Sequence, residues 1–394
     1  MPDARESWIT GIGLVSCLGE GPDAHLDALN DGTPRVDATS FAPYLVHRVV
    51  KLDLDKQIPK KGDQRQMEAW QRIGTYAAGL ALESAGVKGN TEILARTDMI
   101  VAAGGGERDI AADTAILSGL QGAEKPGAFL NERLMSDLRP TLFLAQLSNL
   151  LAGNISIVHG VTGSSRTFMG EESAGVDAIR IALSRIEANQ SDIALVGGSH
   201  NSERPDLLML YEFGGFALKD KFVPVWQREA NPGLALAALG AFLVIESRAH
   251  AEARGAKRIA RLSAVLSDRV RREPGDVTAS LKRLWDKIAG RLKPGKVAVI
   301  SGASGASPAT AEERAFLAGH KDIAVRATGT YLGHAFEPQF PMNVALAAIA
   351  VSRGNLYPPA DDSERAMEGP LTQAVVTSIG HWRGEGLALV EAES

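Results

Sequence analysis

Three adjacent side chains, Glu171, Glu172 and Ser173, stand between a glycine- and serine-rich turn at residues 160–165 and a run of apolar residues at helical spacing, Val176, Ile179, Leu183 and Ile186. A turn feeding a helix can hold one side chain at the helix start and aim it. A carboxylate there could act as acid, base or nucleophile. Ser173 is a second candidate nucleophile, but no histidine is assured beside it, and its hydroxyl suits a helix cap. The single cysteine, Cys17, lies in an early glycine turn and reads as a small buried residue. The eight histidines show no HExxH or similar ligand spacing, so no metal site is expected.

The elements that must position these groups can be read from periodicity. Residues 155–159 are rich in branched apolar side chains and read as a short buried strand ahead of the turn. The helix from residue 173 is expected to stop near Asn189, and residues 193–196, followed by Gly197 and Gly198, read as the next buried strand. Residues 8–19 are expected to open with a short apolar strand and a glycine-rich turn, and further strands are expected at residues 97–103, 241–245, 296–300, 374–379 and 386–390. Helices are expected at 67–85, 142–151, 277–289 and 343–353. The triple glycine 104–106 lacks a following Lys-Ser/Thr and reads as a tight strand-to-loop turn. Strands alternating with helices, each half carrying a glycine-punctuated strand, point to an α/β architecture with internal duplication.

The stretch 140–200 resembles the nucleophile elbow of the β-ketoacyl-acyl-carrier-protein synthases, the condensing enzymes of the thiolase superfamily. That motif runs roughly Thr-Ala-Cys-x-Ser/Thr-Gly, and setting Gly175 on its glycine places Glu172 where the family has its cysteine. Two histidine motifs of the family have counterparts here. In the first, Gly302-Ala303-Ser304-Gly305, Ser304 stands in the histidine position. In the second, Gly333-His334-Ala335-Phe336, His334 is kept. The family lysine aligns with Gly329, and the Gly-Phe-Gly-Gly gate reads Gly380-His381-Trp382-Arg383-Gly384. The resemblance implies a thiolase-like duplicated five-layered α-β-α-β-α fold, with halves at residues 1–255 and 256–394. It implies a site made of Glu172, Ser304 and His334, with Ser173 and His381 facing the substrate. It implies no cofactor, since acyl groups arrive on the phosphopantetheine arm of acyl carrier protein. Lys60, Lys61 and Arg65 are the expected docking patch for that acidic carrier.

The exchanges count against unaided condensation. Attack by Glu172 on a thioester would give a labile mixed anhydride. A charged Glu172 about 4 Å from a developing enolate would repel it by about 4 kcal/mol at an effective dielectric of roughly 20, or roughly three decades in rate. Malonyl decarboxylation at this site requires a protonated Glu172. The expectation is therefore a non-condensing partner, comparable to a chain-length factor, in fatty-acid or long-acyl-chain synthesis. Its partner would be a cysteine-bearing synthase, with self-pairing as the other arrangement. The alternative is an active 3-oxoacyl synthase or malonyl decarboxylase with an atypical Glu/Ser/His site. Glu172 and His334 are expected to form a buried ion pair. The net charge of -5 over 394 residues gives no case for nucleic acid. The longest apolar run, residues 234–245, is too short to span a bilayer, and a cytoplasmic protein is expected.

Overall fold

The computed structural model describes residues 6–138 and 142–392; Pro140, which opens the first family-like stretch, and the polar residues 1–5 lie outside it. Ten strands carry the architecture. The first set is β1 (Ser7–Ser16), β2 (Asp98–Ala102), β3 (Ser165–Phe168), β4 (Ile193–His200) and β5 (Leu239–Ser247). The second is β6 (Ala260–Asp268), β7 (Val297–Ser301), β8 (Ala324–Ala327), β9 (Gln373–Ile379) and β10 (Glu385–Glu391). Within each set the spatial order is third, second, fourth, fifth, first. In both, the second strand runs parallel to the third and the fourth, and the remaining pairs are antiparallel. The duplication that is faint in the sequence is therefore complete in the topology. A short antiparallel ladder, Ser7–Ile9 against Ala260–Leu262, joins the sets.

The helices that matter for the site are α1 (Ala69–Ser84), α2 (Leu150–His159), α3 (Glu172–Glu187), α4 (Pro205–Phe213), α5 (Asp276–Asp286) and α6 (Gln339–Arg353). Helices α3 and α6 pack on each other and lie between the two strand sets, α3 touching β4 and β6, α6 touching β5 and β9. Helix α1 covers the far face of the first set, and α5 packs on β10 of the second. The layers thus run α-β-α-β-α. The middle layer is apolar nearly all round: α6 buries every residue from Gln339 to Val351, as a helix between two sheets must.

Close approach is achieved with glycine. A Cβ on Gly13 in β1 would collide with the carbonyl of Ala77 in α1. A Cβ on Gly175 in α3 would collide with the carbonyl of Glu337 and stand 2.9 Å from Pro341 Cδ, at the mouth of α6. That second contact brings the start of α3 against the loop carrying His334.

Two local expectations are corrected. Residues 155–159 are not a strand but the end of α2, whose buried side chains Leu151, Ala152, Ile155 and His159 fall one helical turn apart and which Gly160 terminates in the left-handed conformation. The strand that feeds α3 is the partly exposed β3, Ser165–Phe168. The expected helix at 142–151 is split into a short turn, Leu142–Ala145, and α2. Strand β6 was not anticipated; its burial alternates too irregularly along ARLSAVLSD to mark a strand.

Gly175→Ala is expected to lose about 1–3 kcal/mol of stability through overpacking, although alanine in an unobstructed helix would gain about 1 kcal/mol. Urea denaturation reads the sign; a stabilised variant would contradict this packing.

Candidate active site

The turn ahead of α3 is strained in a way that fixes its first side chains. Gly170 has φ 134°, and Glu171, a non-glycine residue, has φ 57° and ψ -136°. Such a conformation costs roughly 1–3 kcal/mol and persists only where the surroundings impose it. Ser173 contributes to the turn rather than to chemistry, since its Oγ donates to the carbonyl of Gly170 at 2.7 Å. It is not the helix cap expected from the sequence; Glu171 occupies that position, without a side-chain capping bond.

Glu172 points into the protein and is 1% exposed. Its Oε1 accepts from His334 Nε2 at 2.7 Å, from His381 Nδ1 at 2.9 Å and from the backbone N–H of His381 at 3.1 Å. Both imidazoles are buried as well. Burial alone would raise the Glu172 carboxyl, but the hydrogen bonds and charges of the two histidines outweigh it and hold the group well below the ordinary carboxylate range. Burial works against a charged His381, and the hydrogen bond and charge of Glu172 overcome it, so His381 is raised. Glu171 is pushed up by burial and by the neighbouring Glu172 charge.

Each imidazole is held by its backbone. Gly333 takes φ 68°, and the N–H of His334 then donates to Ala235 at 2.8 Å while its carbonyl accepts from Ala237 at 2.9 Å. His381 sits in a loop closed by Gly380 N–H donating to Gly384 at 2.8 Å. Arg272 grips that loop through the Gly380 carbonyl at 3.2 Å and the Glu385 carboxylate at 2.6 Å. Phe336, itself at φ 55°, packs edge-on against both rings, 4.9 Å from His334 and 5.4 Å from His381. Tyr211 of α4 stacks on Phe336 at 4.6 Å, which shields the imidazoles.

The other sequence candidates are distributed differently. Ser304 is buried, but its Oγ accepts from Ala306 N–H at 3.2 Å and is not among the groups bonded to Glu172. A Cβ at Gly329, the aligned lysine position, would fall 2.6 Å from the carbonyl of Ala303, so no longer side chain fits there. Cys17 is buried against the carbonyl of Tyr331, and burial pushes its thiol up to about 12. Lys60, Lys61 and Arg65 are exposed, with Lys61 paired to Asp55.

Sequence reasoning missed three features. His381, expected to face the substrate, is a direct partner of Glu172. Glu313 is a fully buried carboxyl held by Ser301 and Thr377 and raised by burial. Arg269, Arg271, Arg272 and Arg383 line a groove of about 520 Å³ with Trp382, which is 60% exposed. The run at 269–272 could have signalled it; Arg383 joins only through the fold. A separate cavity of about 360 Å³ opens beside Glu171, between the triple glycine, Tyr211 and Phe336.

The geometry yields a carboxylate with one oxygen fully occupied by donors. No thiol is among the groups bonded to it.

The family model for the β-ketoacyl synthase N-terminal domain matches residues 5–249. The chain belongs to the β-ketoacyl synthase family. In sequence this synthase-family chain is similar to 3-oxoacyl-[acyl-carrier-protein] synthase 2 of Vibrio cholerae, 27% identical over 266 residues that cover 64% of this chain and 60% of the relative. It spans about three fifths of the length of that relative. In fold it is similar to the ishigamide ketosynthase/chain length factor, with TM-score 0.80 and 17% identity over 99% of this chain and 100% of the other. It is also similar to the ketosynthase AntDE solved in complex with the acyl-carrier protein AntF, with TM-score 0.73 and 16% identity over 99% and 100%. These structural likenesses concern the fold alone.

His334→Ala is expected to lower the unfolding free energy by about 3–5 kcal/mol, because it leaves a buried carboxylate short of a partner. Equilibrium denaturation indistinguishable from the parent would contradict the network. Iodoacetamide is expected to leave Cys17 unmodified in the folded protein and to label it once urea is added; labelling of the native state, read by mass spectrometry, would contradict its burial.

Proposed function

We propose that this chain is a non-condensing partner subunit, chain-length-factor-like, that pairs with an active cysteine-bearing β-ketoacyl synthase in fatty-acid or other long-acyl-chain biosynthesis in the cytoplasm. The observation that carries the reading is the buried Glu172 carboxylate, favoured in its ionised form by His334 and His381; the motif resemblance aligns it with the family's nucleophile. Acyl transfer needs a nucleophile whose attack gives a usable intermediate, and this group supplies none. Malonyl decarboxylation needs an acid or a neutral donor here, and the direction of the Glu172 shift opposes that.

Pairing has independent support. Strand β3 stands at the end of the strand order. The segments running into and out of it expose large apolar side chains: Phe143 is 68% exposed, Ile157 70% and Met169 65%. Open strand edges flanked by apolar groups invite another chain. A chain similar in fold to a ketosynthase/chain length factor and to a carrier-bound ketosynthase would receive acyl carrier protein on a basic face. Lys60, Lys61 and Arg65 form one such face, and the arginine groove beside the Gly380–Gly384 loop forms another. The acyl group would come on the phosphopantetheine arm, with no cofactor of the chain's own.

Incubation with acyl-loaded and malonyl-loaded carrier protein tests the proposal. The chain alone is expected to take up no acyl group and to release no carbon dioxide; with a cysteine-bearing partner, product is expected. Product or carbon dioxide from the chain alone would overturn it. Ile157→Glu is expected to weaken association with the partner at least tenfold, equivalent to about 1.4 kcal/mol, read by analytical ultracentrifugation.

A further inference from the structure

Glu172, His334 and His381 meet the requirements of a cation site as well as those of an ion network. Their ligand-type atoms all lie within 4.8 Å of one another, and all three residues are buried. The donor set is two imidazole nitrogens and a carboxylate, the combination found around zinc and other first-row divalent ions. In a tetrahedral zinc site, bond lengths near 2.0–2.1 Å put neighbouring ligand atoms about 3.3 Å apart. The separations of 2.7 and 2.9 Å from Oε1 need only small outward movements to reach that value.

A second observation points the same way. Oε1 of Glu172 receives three donors, while its twin Oε2 is buried and has no partner among the described residues. An oxygen with two lone-pair directions is over-supplied, and an unpaired buried carboxylate oxygen is costly. A cation between the carboxylate and the rings would relieve the crowding and give Oε2 a partner. A carboxylate also stands on the outer side: Glu171 Oε1 lies 4.0 Å from His381 Nε2, beyond hydrogen-bond distance, and would have to close in to orient the ring. Carboxylates in that position orient metal-bound imidazoles through the other nitrogen. Nδ1 of His334 has no partner in the metal-free structure and would gain none.

We infer that Glu172, His334 and His381 supply three ligands of a site for a first-row divalent cation, Zn²⁺ in the first place, with water in the fourth position, that clamps the start of α3 to the two loops of the second strand set. The groups are buried and walled by Phe336 and Tyr211, so the ion would hold the fold together rather than meet a substrate. The inference concerns the isolated chain and stands apart from the partner-subunit reading.

The test uses the full chain, stripped with EDTA and then loaded with ZnCl₂ or CoCl₂ alone. Elemental analysis after desalting is expected to find one zinc per chain. Cobalt is expected to give the visible bands of a tetrahedral site, retained in Ser304→Ala and lost in His381→Gln. Zinc at about 100 times its dissociation constant is expected to raise Tm by about 3 °C, reversed by EDTA. Should His381→Gln fail to fold, the wild-type zinc and EDTA melts still decide. Less than about a tenth of an equivalent of zinc after loading, with the same Tm in zinc and in EDTA, would overturn the site. Cobalt bands that persist in His381→Gln would overturn it too.

Discussion

A carboxylate withdrawn from water must be compensated where it stands, and the compensation of Glu172 organises much of this molecule. The charge comes from the first strand set, at the foot of a helix that lies between the sheets. Both compensating imidazoles come from the second set, on separate loops. The halves are thus tied at the point where a condensing enzyme would keep its reacting groups. Desolvating two such partners costs several kcal/mol per ion, so the geometry around them has to be close to ideal. The backbone pairing of His334 with Ala235 and Ala237, the grip of Arg272 on the His381 loop and the Phe336 wall supply that geometry. Positive φ at Glu171 and Phe336 marks the strain accepted in doing so.

On the proposed reading, the same arrangement lets the scaffold persist with a different group at the head of α3. Glycines such as Gly13 and Gly175 serve backbone approach between layers, and no side chain can replace them without collision. They are indifferent to whether sulfur or oxygen stands at the head of α3. Where the family lysine would enter, Gly329 leaves no room for a side chain, and Ser304 serves its own loop. Oε1 of Glu172 is committed to His334 and His381. Open to the outside are a strand edge at Ser165–Phe168, exposed apolar side chains such as Ile157 and Met169, and basic surface, which on the proposed reading serve association.

Much of this was legible in the chain, for identifiable reasons. Glu172 could be placed because Gly175 sets the register of the elbow, and His334 because Gly333 precedes it in a recognisable phrase. The strands at 193–200 and 373–379 were legible from the short apolar runs at 193–196 and 374–376, as strands buried on both faces are. The stretch 155–159 misled because branched residues favour strands locally, whereas burial of Leu151, Ile155 and His159 on one side made it a helix. Strand β6 was missed because its irregular burial reflects joining the two sets instead of lining one face. His381 was seen as a gate residue; its bond to Glu172, 209 residues away, exists only in three dimensions. No linear ligand spacing could have shown residues 172, 334 and 381 converging.

The most direct measurement is the infrared difference spectrum between the wild-type protein and Glu172→Gln at neutral pH, which isolates the vibrations of this one side chain. An ionised carboxylate is required if the site is a compensated charge and not a reactive acid. A carboxylic acid carbonyl band would contradict it, and would restore the site as a proton donor for decarboxylation.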